Sequence, residues 1–138
     1  MTTRLSRRSY DCIESVHDLS SGGWSARVKD VADRMKVRPP TAVGFLDRLV
    51  EAGLVEKGPS GYRLSLEGMG RYDEATRTHR ILETLFSRNG ITIDSACRIS
   101  SSIGDTIDDS DLEKLCSRMS HPGICPHGKP IPAGEHHD

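Results

Sequence analysis

The stretch from Trp24 to Leu66 constrains the chain most, because two helical patterns and a hairpin pattern follow one another there within about 45 residues. Ser25-Ala-Arg-Val-Lys-Asp-Val-Ala-Asp-Arg-Met35 sets Val28, Val31, Ala32 and Met35 at the i, i+3, i+4, i+7 spacing of a helix with one buried face. Val37-Arg38 breaks the run. Pro39-Pro40-Thr41 opens a second helix, since proline is tolerated in a first turn whose amides have no intrahelical partner. Val43, Leu46, Leu49 and Val50 give that helix its apolar seam, and Ala52-Gly53 ends it. Two alternating segments follow, Leu54-Val-Glu-Lys57 and Tyr62-Arg-Leu-Ser-Leu66, joined by the turn residues Gly58-Pro-Ser-Gly61.

Helix, tight turn, helix and hairpin in that order predict a winged helix-turn-helix. Such a motif lays its second helix in the DNA major groove and touches the backbone with the wing. Arg38, Pro39, Pro40, Thr41 and Arg48 on or beside the second helix, with Lys57 and Arg63 on the wing, form the expected DNA-facing set. Charge agrees: residues 1–80 hold 14 Lys and Arg against 11 Asp and Glu, or +3, whereas residues 81–138 hold 5 against 9, or −4. Residues 1–8, with Arg4, Arg7 and Arg8, read as a basic arm.

Elsewhere the reading is helical. Ser9 is the expected cap of a first helix, 10–19, with Ile13, Val16 and Leu19 inward and Ser20-Ser-Gly-Gly23 closing it. On this helix Asp11 and Glu14 are i, i+3 neighbours. Met69 to Arg88 reads as a long helix on which His79 and Glu83, four apart, share one face and can hold a cation together. Asp94 is expected to cap a helix over 95–103, and Asp109-Ser-Asp111 with Glu113 to start another over 112–119. The Pro- and Gly-rich segment from Ser120 to Pro132 predicts neither helix nor central strand. The expected fold is therefore mostly α, with a winged-helix domain over 1–73 and an all-helical dimerisation and sensing domain over 74–138. Three short helices with few apolar residues cannot build a core alone, which predicts a homodimer and a palindromic double-stranded DNA site. No run of about 18 apolar residues and no charged-then-apolar leader occurs, so the expected location is cytoplasmic, with no membrane segment, and the cysteines are expected as thiols or ligands.

With those residues in view, the chain resembles the diphtheria-toxin-repressor family of iron- and manganese-dependent repressors, in its short form without an SH3-like domain. The resemblance rests on the Asp11/Glu14 helix, Pro40-Thr41 and the helix carrying Thr78-His79-Arg80 and Glu83. It extends through Ser95-Ala-Cys97-Arg98 and the closing Cys125-Pro-His-Gly-Lys-Pro-Ile-Pro132. It implies a repressor whose DNA binding requires a divalent metal, with Asp11, Glu14, His79, Glu83 and Cys97 matching ligand positions. The Glu-His pair that family members carry three and four residues after the Cys97 position is missing. Ser100 and Ser101 stand there, or Gly104-Asp105 if one turn is inserted.

Neutral serine oxygens compete poorly with water for Mn2+ or Fe2+. Cys97, Cys116 and Cys125 instead suggest a thiolate-held site, with iron as a cluster or as Fe2+, or alternatively Mn2+ or Zn2+. Cys12 and Cys116 can equally be small core residues. A second reading stays open: a non-sensing winged-helix interaction protein with structural zinc on Cys116, His121, Cys125 and His127. An enzyme is not expected, because Cys125 and His127 have neither an oriented base nor an oxyanion hole beside them in the sequence.

Overall fold

The computed structural model describes residues 5–21 and 25–134. The residues expected to start the basic arm (1–4), the glycines expected to close the first helix and Trp24 lie outside that range. The chain divides into two compact units, Leu5–Tyr72 and the residues from Asp73 onward. Each is described by itself.

In the first unit, α1 (Arg7–Ser20) starts one turn earlier than the expected Ser9 cap. Ser6 is the N-cap, its hydroxyl accepting from the Ser9 amide at 3.2 Å. Two serines three apart compete for this role, and starting at Ser6 lets Leu5 pack against the core. α2 (Val28–Met35) starts later than the expected Ser25. Ala26 is drawn into the wing instead, exchanging both backbone hydrogen bonds with Tyr62 at 2.8 Å, and a residue in that bridge cannot be helical. The tight turn after α2 is made by Lys36 in the left-handed region, φ 58°, its amide bonded back to Asp33 at 3.2 Å.

α3 (Pro39–Glu51) has Pro at its first two positions, as expected, and ends at Ala52-Gly53 with Gly53 at φ 79°. Its buried seam is Ala42, Leu46 and Leu49, whereas Val43 and Val50 are only half-buried. β1 (Val55–Gly58) and β2 (Gly61–Leu64) pair antiparallel, Glu56 opposite Arg63 and Lys57 opposite Tyr62. Gly61, φ 142°, is required: a Cβ there would run into the Ala26 carbonyl. The core of this unit gathers Ile13, Val16, Val31, Met35, Leu46 and Tyr62 between the three helices and the wing.

α4 (Leu66–Arg88) begins three residues before the expected Met69, and the division between the units falls within it. Ser65 explains the early start. Its hydroxyl donates to the Gly53 carbonyl at 2.6 Å and accepts from the Gly68 amide at 3.0 Å, while its own amide donates to the Leu54 carbonyl. Gly68 then lies flat on that carbonyl, in a space no Cβ can share.

In the second unit, α5 (Ile93–Ile103) is capped by Thr92, which accepts from the Ser95 amide at 3.3 Å, so Asp94 sits in the first turn and not at the cap. There its charge still favours the helix N-terminus. α6 (Asp109–Arg118) likewise starts earlier than expected, behind Asp108. Ile81 and Leu82 of α4 pack with Leu112, Cys116 and Met119 to form the core. The Pro- and Gly-rich segment is neither helix nor strand but folds back on itself. Cys125 donates to the Lys129 carbonyl, Gly128 to the Cys125 carbonyl, and Ile131 to the Gly123 carbonyl, each at 2.9 Å. Arg80 of α4 holds this loop by donating to the Pro130 carbonyl at 2.5 Å. Among the described residues no helix is long and apolar enough to cross a membrane.

Two glycine substitutions should move stability in opposite directions. Gly68→Ala forces a methyl into the Leu54 carbonyl and should cost roughly 2 kcal/mol or more. Gly44→Ala, on an exposed turn of α3 with open space around it, should gain about 0.5–1 kcal/mol. Urea denaturation of the two variants beside the parent checks both signs.

Candidate metal centre

One turn of α4 sets the centre. His79 and Glu83 fall on the same face four residues apart, with His79 Nε2 3.4 Å from Glu83 Oε2. The glutamate side chain is 2% exposed, an unusual setting for a charge. From α5, Cys97 brings its Sγ to 3.7 Å from His79 Nε2. From the folded-back loop, His127 brings Nδ1 to 3.2 Å from the same Glu83 Oε2. The turn that links Cys125 to Gly128 holds Cys125, also buried, beside the same carboxylate.

Two groups of donor atoms result, His79/Glu83/Cys97 and Glu83/Cys125/His127, each with every atom within 4.8 Å of the others. The chemistry fits a metal ion. Ligand atoms about 2.0–2.3 Å from a shared ion at tetrahedral angles lie about 3.3–3.8 Å apart, close to the 3.2, 3.4 and 3.7 Å that separate Glu83 from His127, Glu83 from His79 and His79 from Cys97. The buried Glu83 Oε2 also makes no hydrogen bond. The imidazole nitrogens around it are near enough for charge attraction but not aligned to donate. A buried anionic oxygen left in this way is costly, and a cation is what would satisfy it.

The other expected ligands are placed differently. Asp11 and Glu14 lie on α1 in the first unit, Asp11 paired with Arg7 at 3.1 Å and Glu14 accepting from the Tyr10 hydroxyl at 3.1 Å. Neither belongs to a converging group among the described residues. Cys116 belongs to neither group: it is part of the second unit's core, with His121 Nδ1 at 3.4 Å and Arg77 Nη2 donating to its sulfur at 3.6 Å. Arg77 is itself held by Glu113 at 2.7 Å. Burial raises the Cys116 thiol pKa, Arg77 pulls it down and Glu113 adds to the rise.

The trio Cys97, Cys116 and Cys125 is therefore not brought together, and neither is the quartet Cys116, His121, Cys125 and His127. Cys12 is fully buried in the first core, and its thiol is pushed up to about 12 by burial and by the Asp11 carboxylate. None of the four cysteines forms a disulfide. Ser101 spends its hydroxyl on the Cys97 carbonyl at 2.9 Å, and the buried Ser100 brings only a neutral hydroxyl, so neither replaces the charge and imidazole of the missing Glu-His pair. His127 is the residue that sequence reasoning underused. Its signal was the Cys-x-His spacing inside a proline-bounded turn.

On the first unit, Arg38, Pro39, Pro40, Thr41 and Arg48 are all exposed on α3 or at its start. The Arg48 guanidinium lies over the Phe45 ring at 4.7 Å, which fixes its direction. On the wing, Lys57 lies 5.9 Å over Tyr62, and Arg63 pairs with Glu56 at 2.9 Å.

Comparison with known proteins gives two family models, meeting at the end of the wing and the start of α4. Residues 4–61 match the family model described as iron dependent repressor, N-terminal DNA binding domain. Residues 66–133 match that of the iron dependent repressor metal binding and dimerisation domain. A hypothetical protein from Sulfolobus solfataricus has a similar structure, with 28% identity and TM-score 0.82, covering 94% of this chain and all of its own. The manganese regulator SloR is similar at 27% identity and TM-score 0.79, over 96% of this chain and 61% of its own. ScaR with bound Zn2+ matches at 26% identity and TM-score 0.75, over 94% of this chain and 60% of its own. The chain thus spans all of the first relative and about three fifths of the other two. No curated protein sequence gives a match.

The displaced Cys12 thiol has a pH consequence. A thiol raised from 9.0 to about 12 by the fold contributes stability that is full below 9.0 and is lost as pH rises toward 12. Denaturation midpoints between pH 8 and 11 should fall for the native sequence and fall less for Cys12→Ala.

Proposed function

This chain belongs to the iron-dependent repressor family of metal-dependent transcription regulators, and on that premise we propose which of its residues hold the metal and which read DNA. Glu83 is the central metal ligand, with His79 and Cys97 on one side and Cys125 and His127 on the other. The single observation that carries this reading is the buried Glu83 oxygen without a hydrogen bond, facing two imidazoles and with two thiols within 4.8 Å of the carboxylate.

The donor set speaks for an ion class. Thiolate and imidazole favour Zn2+ or Fe2+, and a site of that kind holds Mn2+ more weakly. An iron–sulfur cluster asks for several cysteines around one centre. Each group here offers one, which supports a divalent ion over a cluster. Among the described residues Asp11, Glu14 and Cys116 have other partners, and the reading does not use them.

Bound there, a divalent ion supplies positive charge that neutralises a carboxylate and a thiolate and ties together the elements carrying them. This chain's residues do the rest. His79 and Glu83 present α4, Cys97 presents α5, and Cys125 and His127 present the loop that Arg80 anchors. α4 is one continuous helix from Leu66, two residues after β2, to Arg88, so a tie on its later turns bears on the helix that begins just after the wing. The regulation is a population shift: the cation favours the DNA-competent arrangement by its difference in affinity for the two arrangements and by no more.

In the competent state α3 enters the major groove of each half of a palindromic operator. Thr41 and Arg48 face the base edges, and Arg38, Lys57 and Arg63 face phosphates. The second domain supplies the dimer, and the exposed Ile93 and Ile103 of α5 provide apolar surface for it.

Fluorescence anisotropy of a labelled operator fragment should show tighter binding with Zn2+ or Fe2+ by a factor of about 5–150. His127→Ala and Cys125→Ser should remove that gain while leaving the metal-free affinity unchanged. Arg48→Ala should weaken binding with and without metal. Operator affinity equal with and without the ion would contradict the reading.

A further inference from the structure

We propose that Phe45 positions a two-arginine contact with DNA: its ring holds Arg48 of α3 and draws Arg8 of α1 in beside it, and Arg8 there takes a phosphate of the DNA backbone. This rests on the DNA-binding reading above and adds to it a residue from outside the helix-turn-helix and wing.

Phe45 is half-buried on α3 and packs against the core of the first unit. Its ring carries two guanidinium groups, Arg48 at 4.7 Å and Arg8 at 5.8 Å from the centroid. Both lie within the roughly 6 Å over which an aromatic face attracts a cation. A guanidinium resting on a ring still offers the N–H donors at its edge to an acceptor. Two positive charges gathered on one ring also repel each other, and a neighbouring anion relieves them.

Local rules argue against Arg8 serving its own helix. The first turn of a helix disfavours positive charge, yet α1 opens with Arg7 and Arg8 and has no acidic residue there. Asp11 in the next turn answers only one of them closely. It lies 3.1 Å from Arg7 Nε but 3.9 Å from Arg8 Nη1, and half of the Arg8 side chain is exposed. An ion pair that long and that exposed contributes little. Arg8 is thus set against the dipole of α1 and drawn to a ring on another helix. An anion outside the chain accounts for both features.

DNA supplies that anion in the right place. Both charges stand over one ring, so Arg8 is no more than about 10.5 Å from Arg48, less than the roughly 12 Å width of the major groove. With Arg48 at the base edges, a second cation at this range meets the row of phosphates along the groove wall, where each strand carries one charge per about 3.4 Å of axis. Resting on Phe45 before DNA arrives, Arg8 loses less freedom on binding.

The test is the salt dependence of binding to a labelled duplex of random sequence, by fluorescence anisotropy on the full chain loaded with Zn2+. Arg8→Ala should weaken binding several-fold at low salt and flatten the slope of log K against log salt by about one for each bound chain. Phe45→Leu keeps an apolar side chain against the core and should weaken and flatten binding in the same way. Phe45→Trp, a stronger face for a cation, should keep the parent's slope. In a Phe45→Leu background Arg8→Ala should add little, because the two residues act as one unit. Urea denaturation checks that each variant is folded, and Arg8→Ala, at a half-exposed position, decides the phosphate contact even where a ring variant does not fold. An Arg8→Ala slope equal to the parent's would overturn the contact and leave DNA binding intact. A full Arg8→Ala effect in the Phe45→Leu background would overturn the role of Phe45. A parent that binds no duplex at any salt would overturn both readings.

Discussion

A carboxylate removed from water is the constraint on which the second unit depends. Glu83 sits on the inner face of α4, next to Ile81 and Leu82, which are core residues with almost no exposure. An apolar side chain there would extend the core at no electrostatic cost. The fold instead surrounds a glutamate with imidazole and thiol groups contributed by a second helix and a loop. Such an arrangement stores an unmet demand for positive charge, and the elements that answer it are the ones a bound cation would tie together. The loop makes this most plain. Its proline-rich sequence cannot pair as a strand, yet the backbone bonds around Cys125 and Gly128 and the Arg80 anchor hold it in one turn. Those bonds keep Cys125 and His127 near α4 before any ion arrives, which lowers the ordering cost of binding.

The first unit obeys a different economy, that of packing and backbone hydrogen bonds. Its three helices close on the wing through a single core, and the wing gains a third backbone partner at Ala26. Ser65 does the work of a joint: one hydroxyl satisfies the end of the turn after α3 and the start of α4. With Gly68 against the Leu54 carbonyl, this seats the first turn of α4 on the turn after α3. The exposed side of α3 is left free of core duties, and Arg48 is already laid on Phe45.

The winged helix could be read from the sequence because its signals are local: apolar spacing, paired prolines at a helix start, and turn residues between alternating strands. Helix starts are less legible wherever two capping residues compete, as Ser6 does with Ser9, Thr92 with Asp94, and Asp108 with Asp109. Ala26 patterns with the helix that follows it, since its partner in the wing, Tyr62, is 36 positions away. The candidate metal centre shows the same limit. His79 and Glu83 were visible as an i, i+4 pair, and Cys97 and Cys125 stood out as donors. That His127 joins them while Cys116 turns into the core depends on how a loop folds back across fifty residues, which no local pattern encodes. Asp11 and Glu14, suggested by family resemblance, have neighbours of their own on α1.

X-ray absorption at the zinc edge of the loaded protein tests the central claim most directly, because it counts the atoms around each ion by type. The account predicts a mixed shell with one sulfur per ion, the remainder nitrogen and oxygen, at distances of about 2.3 and 2.0–2.1 Å. A shell without sulfur, or one made of sulfur alone, would contradict it.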